Sequence, residues 1–262
     1  MDYQIKNMSV KIKTFKKDEL NVEVFDSRAE MGRGAAKAVG AKIVELLSTK
    51  NEISIIFAAA PSQNEFLAAL LLEDVAWDRI NAFHMDEYIG LPANAPQGFA
   101  NFLSVSIFDH ANFKTVNFLN GTAKDLTNEC DRYASLLSRQ PIDIVCMGIG
   151  ENTHVAFNDP HVADFKDQKL VKVVDLDLPC RQQQVNDGCF AHIDEVPTHA
   201  LTLTVPALFN AHHIYCVVPG SNKAQAIAHT LNDEVTERYP STVLRKHANA
   251  ILFIDKKSAE FI

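Results

Sequence analysis

The sequence predicts an α/β fold with a mostly parallel central sheet. Three features carry this expectation. Short apolar runs rich in β-branched residues recur along the chain, segments with helical periodicity separate them, and IDIVCMGI at 142–149 is almost continuously apolar. The last is the pattern of a strand buried on both faces. In chain order, residues 27–49 set Ala36, Val39, Ile43, Leu46 and Leu47 on one helical face. ISIIF at 53–57 then reads as a strand and 64–73 as a helix. INAFHM at 80–85 is a strand, 99–109 a helix, TVNFL at 115–119 a strand and 125–138 a helix leading into 142–149. Further strands are expected at 170–176 (LVKVVDL), 201–205 (LTLTV), 213–218 (HIYCVV) and 250–254 (AILFI), with a helix at 222–232 between the last two. No repeat, low-complexity tract or Gly/Ser-rich linker breaks the pattern, so residues 1–262 read as one domain.

Composition narrows the function by exclusion. The 262 residues are 47% hydrophobic and 22% charged, which rules out disordered, collagen-like and coiled-coil chains. With 25 Lys and Arg against 33 Asp and Glu, the net charge of −8 argues against nucleic acid, whose phosphates are met by basic surfaces. No apolar run approaches the roughly 20 residues of a membrane span; ISIIFAAAP, the longest candidate, stops at Pro61. MDYQIKNMSVKIKTFKK has no apolar core of a signal peptide. The five cysteines are odd in number and lack metal-type spacing, which fits a reducing cytoplasm. Cys146 and Cys216 lie in apolar runs and read as small core residues, whereas Cys180 and Cys189 flank a polar segment and read as accessible thiols.

In a sheet of this kind, ligands bind beyond the carboxyl ends of the strands. Four polar segments fall there: AAAPSQNE, MDEYIGLP, GIGENTHVAFNDP and PGSNK. GIGENTHVAFNDP begins with G-x-G but lacks a dinucleotide fingerprint, and it gathers Asn152, His154 and Asp159, polar groups able to fix an imidazole in one tautomer for acid–base work. In MDEYIGLP, Asp86 and Glu87 end a strand and point to opposite faces, so one of them faces a shared cavity. PGSNK sets Ser221 as an N-cap and Lys223 in the first turn of a helix; AAAPSQNE places Ser62 and Gln63 in the same way. Two such loops on one sheet edge suit a phosphate. No HExxH, CxxC, Walker A or G-x-S-x-G sequence occurs, and neither a metal nor an organic cofactor is expected.

The motifs FHMDEYIGLP (83–92), GIGENTHVAFNDP (148–160) and PGSNKA (219–224) resemble, in order and spacing, those of the glucosamine-6-phosphate deaminase/isomerase family, which shares its fold with the 6-phosphogluconolactonases. The resemblance spans nearly the whole chain. It implies a modified Rossmann-like, three-layer fold, an amino-sugar phosphate as substrate, ring opening, aldose–ketose isomerisation and ammonia release without cofactor, and a homo-oligomeric state. By position, Asp86 matches the carboxylate that moves a proton between the first two sugar carbons, His154 the ring-opening histidine, and Lys223 the phosphate-binding lysine. Ser62 falls where a phosphate-loop threonine is usual.

The departures from the family pattern are specific. The family loop reads D-G-H-x-A-F-N-E-P; here Asn152 replaces the first carboxylate, Thr153 the glycine and Asp159 the glutamate. Asn152 lacks the charge that stabilises an imidazolium and is able to hold the opposite tautomer. The T-G-G-T phosphate loop is Ala59-Ala60-Pro61-Ser62, and the family arginine is missing from 181–188, leaving Arg181 as the candidate substitute. The candidate catalytic set is therefore Asp86, Asn152, His154 and Asp159, and the phosphate- and substrate-binding set Ser62, Gln63, Glu87, Arg181 and Lys223. Two alternatives remain: a lactone hydrolase with His154 activating water, against which the AFN sequence speaks, and a sugar-phosphate sensor without turnover.

Overall fold

The computed structural model describes residues 11–262; the first ten, part of the segment lacking a signal-type apolar core, lie outside the described residues. Lys11–Lys17 (β1) and Leu20–Phe25 (β2) open the described chain as an antiparallel hairpin. Then follow Arg28–Leu47 (α1), Ile53–Phe57 (β3), Asn64–Leu70 (α2), Ile80–His84 (β4), Asp86–Tyr88 (β5), Phe99–Ser106 (α3) and Thr115–Asn117 (β6). Leu126–Leu137 (α4), Ile144–Met147 (β7), Val171–Asp175 (β8), Leu178–Asn186 (α5) and His199–Leu203 (β9) come next. Val205–Phe209 (α6), His213–Val218 (β10), Ala224–Asn232 (α7) and Ala250–Asp255 (β11) complete it.

Eight strands form the central sheet in the order β1-β2-β11-β10-β7-β3-β4-β6. Only β1 and β2 pair antiparallel. The pleat sends alternate residues to two cores. Ile55, Phe57, Ile144, Cys146, Tyr215 and Val217 pack on one face with α1, α2 and α3. Ile56, Val145, Met147, Ile214 and Cys216 pack on the other with α4, α6 and α7. Helices on both faces of a parallel sheet make the expected three layers. Cys146 and Cys216 are core residues as expected, but Cys180 is fully buried, which corrects its reading as an accessible thiol, whereas Cys189 is half-buried and stays partly accessible.

Two further differences have physical reasons. The segments expected as strands at 170–176 and 201–205 are β8 and β9, but they leave the central sheet and form an antiparallel three-stranded sheet with β5. The part-exposed pattern of β8, at the edge, suits a sheet solvated on one side, whereas β9, between β5 and β8, is buried after His199. Helix α5 was hidden by its Gln-rich composition, yet its start is well signalled: Asp177 accepts from the Cys180 amide at 2.7 Å and Pro179 occupies the first turn. Among the described residues, no helix is long and apolar enough to cross a membrane.

Candidate active site

Strand order reverses between β3 and β7: the chain runs outward through β4 and β6 on one side and through β10 and β11 on the other. A crevice opens at such a switch point, beyond the strand carboxyl ends. The four loops singled out in the sequence meet there, and one cavity is lined by Ser62, Gln63, Asp86, His154, Gln184 and Lys223 among others.

His154 is held by its own loop. Its Nδ1 lies 2.7 Å from Asn152 Oδ1 and 3.1 Å from Asp159 Oδ1, and its backbone N–H donates to the same Asn152 oxygen at 3.1 Å. Asn152 Nδ2 donates to Asp159 Oδ1 at 3.0 Å and to the two oxygens of Asp177 at 3.2 and 3.1 Å. Carboxylates only accept, so the amide nitrogen must face them and the amide oxygen must face His154. Nδ1 therefore carries a proton, and Nε2 keeps its lone pair with no protein partner among the described residues. This corrects the expectation that Asn152 holds the opposite tautomer. Burial opposes ionisation of Asp159, but the hydrogen bond and electrostatic attraction of His154, with bonds from Asn152 and the Asp177 amide, outweigh it and hold the carboxyl below its ordinary range. Thr153, in the family's glycine position, has φ +71°, a left-handed conformation that a β-branched residue adopts only under strain.

Asp86 and Glu87 face opposite ways, as their strand position requires. Asp86 is buried at the cavity wall and makes no side-chain hydrogen bond to another described residue. Burial, with the Glu87 charge adding, pushes its carboxyl well above the ordinary range. Glu87 turns away from this cavity, which corrects its place in the substrate-binding set. Its carboxylate accepts the amides of Tyr88 (2.9 Å), Phe99 (3.0 Å) and Ala100 (2.8 Å), and so caps α3.

The other end of the cavity is cationic. Lys223 is 3% exposed, and no carboxylate or hydrogen-bond acceptor of the described residues lies within bonding distance of its Nζ. Burial lowers its pKa, with Asp187 and Glu151 acting in the opposite sense from farther away. A buried ammonium without a counterion suits an anionic ligand. The 3₁₀ turn Ser221–Lys223 leads into α7; Gly220 makes the preceding turn at φ +96°, and Ser221 forms no capping bond, contrary to expectation. Ser62 and Gln63 lie in the matching turn Pro61–Gln63 ahead of α2. Gln63 Nε2 donates to Val217 O and Ser62 Oγ, both at 3.1 Å, while its buried Oε1 has no partner.

Arg181 does not line this cavity. Its guanidinium donates to the carbonyls of Ile193 and Val196, pinning α5 to the next turn, so it is no substitute for a phosphate-binding arginine. The α5 residues that do line the cavity are Gln183 and Gln184, both neutral and both overlooked in the sequence. Asp177 was overlooked as well; the D-x-P helix start marks it as a cap and gives no hint of its bond to Asn152. His154, Asp159 and Cys180 bring one potential metal-binding atom each within 4.8 Å of one another, as do Asp159, His161 and Asp177. In the first group, a metal on His154 Nδ1 would displace the proton donated to Asn152.

The family model described as "Glucosamine-6-phosphate isomerases/6-phosphogluconolactonase" matches residues 26–253. The chain belongs to this family. A glucosamine-6-phosphate deaminase of Bacillus cereus (strain B4264) is 30% identical over 239 residues, 91% of this chain and 88% of that protein. Another, from Bacillus cereus (strain G9842), is 31% identical over 221 residues, 84% and 82% of the two chains. The solved structure of a monomeric glucosamine-6-phosphate deaminase superposes with a TM-score of 0.84 at 27% identity, covering 92% of this chain and 99% of that one. A 6-phosphogluconolactonase from Thermotoga maritima shares the fold, with a TM-score of 0.74 at 18% identity over 90% of this chain and 100% of that one. This member of the glucosamine-6-phosphate isomerase/6-phosphogluconolactonase family is an enzyme of deaminase/isomerase type, and its Lys223, His154 and Asp86 line a single cavity.

Proposed function

We propose that the chain converts an amino-sugar 6-phosphate of the glucosamine or galactosamine type into the ketose phosphate and ammonia. The observation that carries this reading is the cavity itself, with Asp86 and His154 on its wall and a buried, unpaired Lys223. Lys223 and the Ser62 loop bind the phosphate. The lone pair at His154 Nε2 takes the anomeric hydroxyl proton and returns it to the ring oxygen as the C1–O5 bond opens. Asp86 then takes the C2 proton and delivers it to C1, while a proton passes from the nitrogen to O1, leaving a C1 hydroxyl and an imine at C2. Water adds at C2, and ammonia leaves. A carboxyl whose pKa is raised by burial suits this shuttle, since it must carry the proton between two carbons. Five cysteines, all free, support a reducing cytoplasm as the place of action.

The test is ammonia and ketose-phosphate release from glucosamine 6-phosphate and galactosamine 6-phosphate, with 6-phosphogluconolactone hydrolysis assayed beside it. Turnover of an amino sugar that disappears in Asp86→Asn and His154→Ala supports the reading. Lactone hydrolysis without ammonia release, or tight sugar-phosphate binding without any turnover, sinks it.

A further inference from the structure

The Asn152 amide stands where the family has a carboxylate, and an amide can present either its oxygen or its nitrogen to a histidine. Presenting the nitrogen would push the His154 proton from Nδ1 to Nε2 and remove the lone pair from the cavity. In the structure two groups of the loop itself, Asp159 and the His154 backbone N–H, favour the observed orientation, and a residue outside the motif adds two further acceptors. Both Asp177 oxygens lie within 3.2 Å of Asn152 Nδ2, and Asp159 supplies a third acceptor at 3.0 Å. Asp177 is itself fixed: its carboxylate accepts the Cys180 amide at 2.7 Å, and its own amide donates to Asp159 Oδ2 at 3.2 Å.

We propose that Asp177 is a positioning residue for catalysis, clamping the Asn152 amide so that His154 stays in the Nδ1–H tautomer with Nε2 free. This rests on the reading of His154 as the ring-opening acid–base. Asp177 does two separable jobs, capping α5 and clamping Asn152. Serine is an equally good N-cap, but its shorter side chain does not reach Asn152. Asparagine keeps both the cap and an acceptor for Asn152.

The experiment compares the whole protein with Asp177→Ser, Asp177→Asn, Asn152→Ser and the double variant Asp177→Ser/Asn152→Ser. Two-bond ¹H–¹⁵N spectra of ligand-free, ¹⁵N-labelled protein at about pH 8.5, above the ordinary imidazole range, report the His154 tautomer once its signals are located with His154→Gln. Wild type and Asp177→Asn are expected to show one protonated Nδ1, and Asp177→Ser and Asn152→Ser mixed tautomers. With glucosamine 6-phosphate, Asp177→Ser is expected to lose kcat by about ten- to a hundredfold, with KM nearly unchanged. The double variant is expected to lose no more than the worse single one, because both cut a single relay. An Asp177→Ser protein that keeps the pure Nδ1–H signature overturns the proposal, as does full additivity of the two losses. Should Asp177→Ser fail to fold, Asn152→Ser with a pure Nδ1–H signature overturns it too. Because the spectra need no substrate, a wild type without turnover counts against the proposed reaction and leaves the clamp to be judged by the spectra.

Discussion

The His154 ring occupies the space that a side chain on Gly150 would need. A Cβ built on Gly150 stands 2.1 Å from His154 Cε1, 2.3 Å from Nδ1 and 2.4 Å from Nε2. Glycine is required here for close approach, and Gly150 also donates its amide to His154 O at 2.9 Å, closing the loop on itself. Gly150→Ala should therefore expel the ring from its seat between Asn152 and the cavity. The expected outcome is a fall in kcat of about a hundredfold, with the circular dichroism spectrum unchanged. Retention of wild-type kcat would show that the ring has another productive seat.

Thr153 gives the converse case, a residue whose backbone asks for glycine. Its φ of +71° is strained for a β-branched side chain, and its buried hydroxyl has no hydrogen-bond partner. Replacing it by glycine removes both penalties, against the greater chain entropy of glycine and the loss of a buried methyl group. Thr153→Gly should be stabilising by about 1 kcal/mol, seen as a Tm higher by about 2–4 °C in calorimetry. Its backbone carbonyl, which accepts the Ser241 amide at 2.9 Å, stays in place, so the loop path is retained.

The parts of this molecule legible in the sequence are those fixed by short-range pattern. β3, β7, β10 and β11 are apolar runs because they are buried on both faces, and the loops after β3, β4, β7 and β10 stand out because polar residues interrupt those runs. β1 carries no apolar signal because it is an edge strand with four lysines in seven residues, which protects an edge. β5 is only three residues long and is defined by pairing with β9, more than 110 residues later. In the site, Asp86 and His154 were visible through their motifs. Asp177 was not, because its bond to Asn152 spans 25 residues and no local periodicity encodes it.

Among the described residues, Lys223 is the one cation that lines the cavity. Gln184 lines it on α5, where an arginine would add a second positive charge close to Lys223, and Arg181 is committed to carbonyls elsewhere. Gln184→Arg should tighten binding of a sugar phosphate by about tenfold, the effect of one charge-assisted hydrogen bond. Isothermal titration with glucose 6-phosphate measures this without turnover. Lys223→Ala should abolish the binding that Gln184→Arg strengthens. An unchanged affinity in both variants would remove the phosphate from this end of the cavity.

Asp86 links the chemistry to stability through pH. Burial, reinforced by the Glu87 charge, raises its pKa in the folded state, so folding favours the protonated carboxyl. Its stabilising contribution is complete below the unfolded value of about 3.9 and is lost as pH rises through the folded value. Above that value the native state holds a buried, unpaired charge, which Asp86→Asn removes with little change of shape. The Tm of Asp86→Asn should match that of the wild type at the acid end and exceed it increasingly toward neutral pH. Over the same range, the amide cannot carry the C2 proton, and kcat should fall by about 10²- to 10⁴-fold. Thermal melts between acid and neutral pH, paired with ammonia-release assays, read both effects from one preparation. A Tm difference that shrinks with rising pH would mean that Asp86 is charged and well solvated in the folded protein, and would remove the physical basis for its role as a proton shuttle.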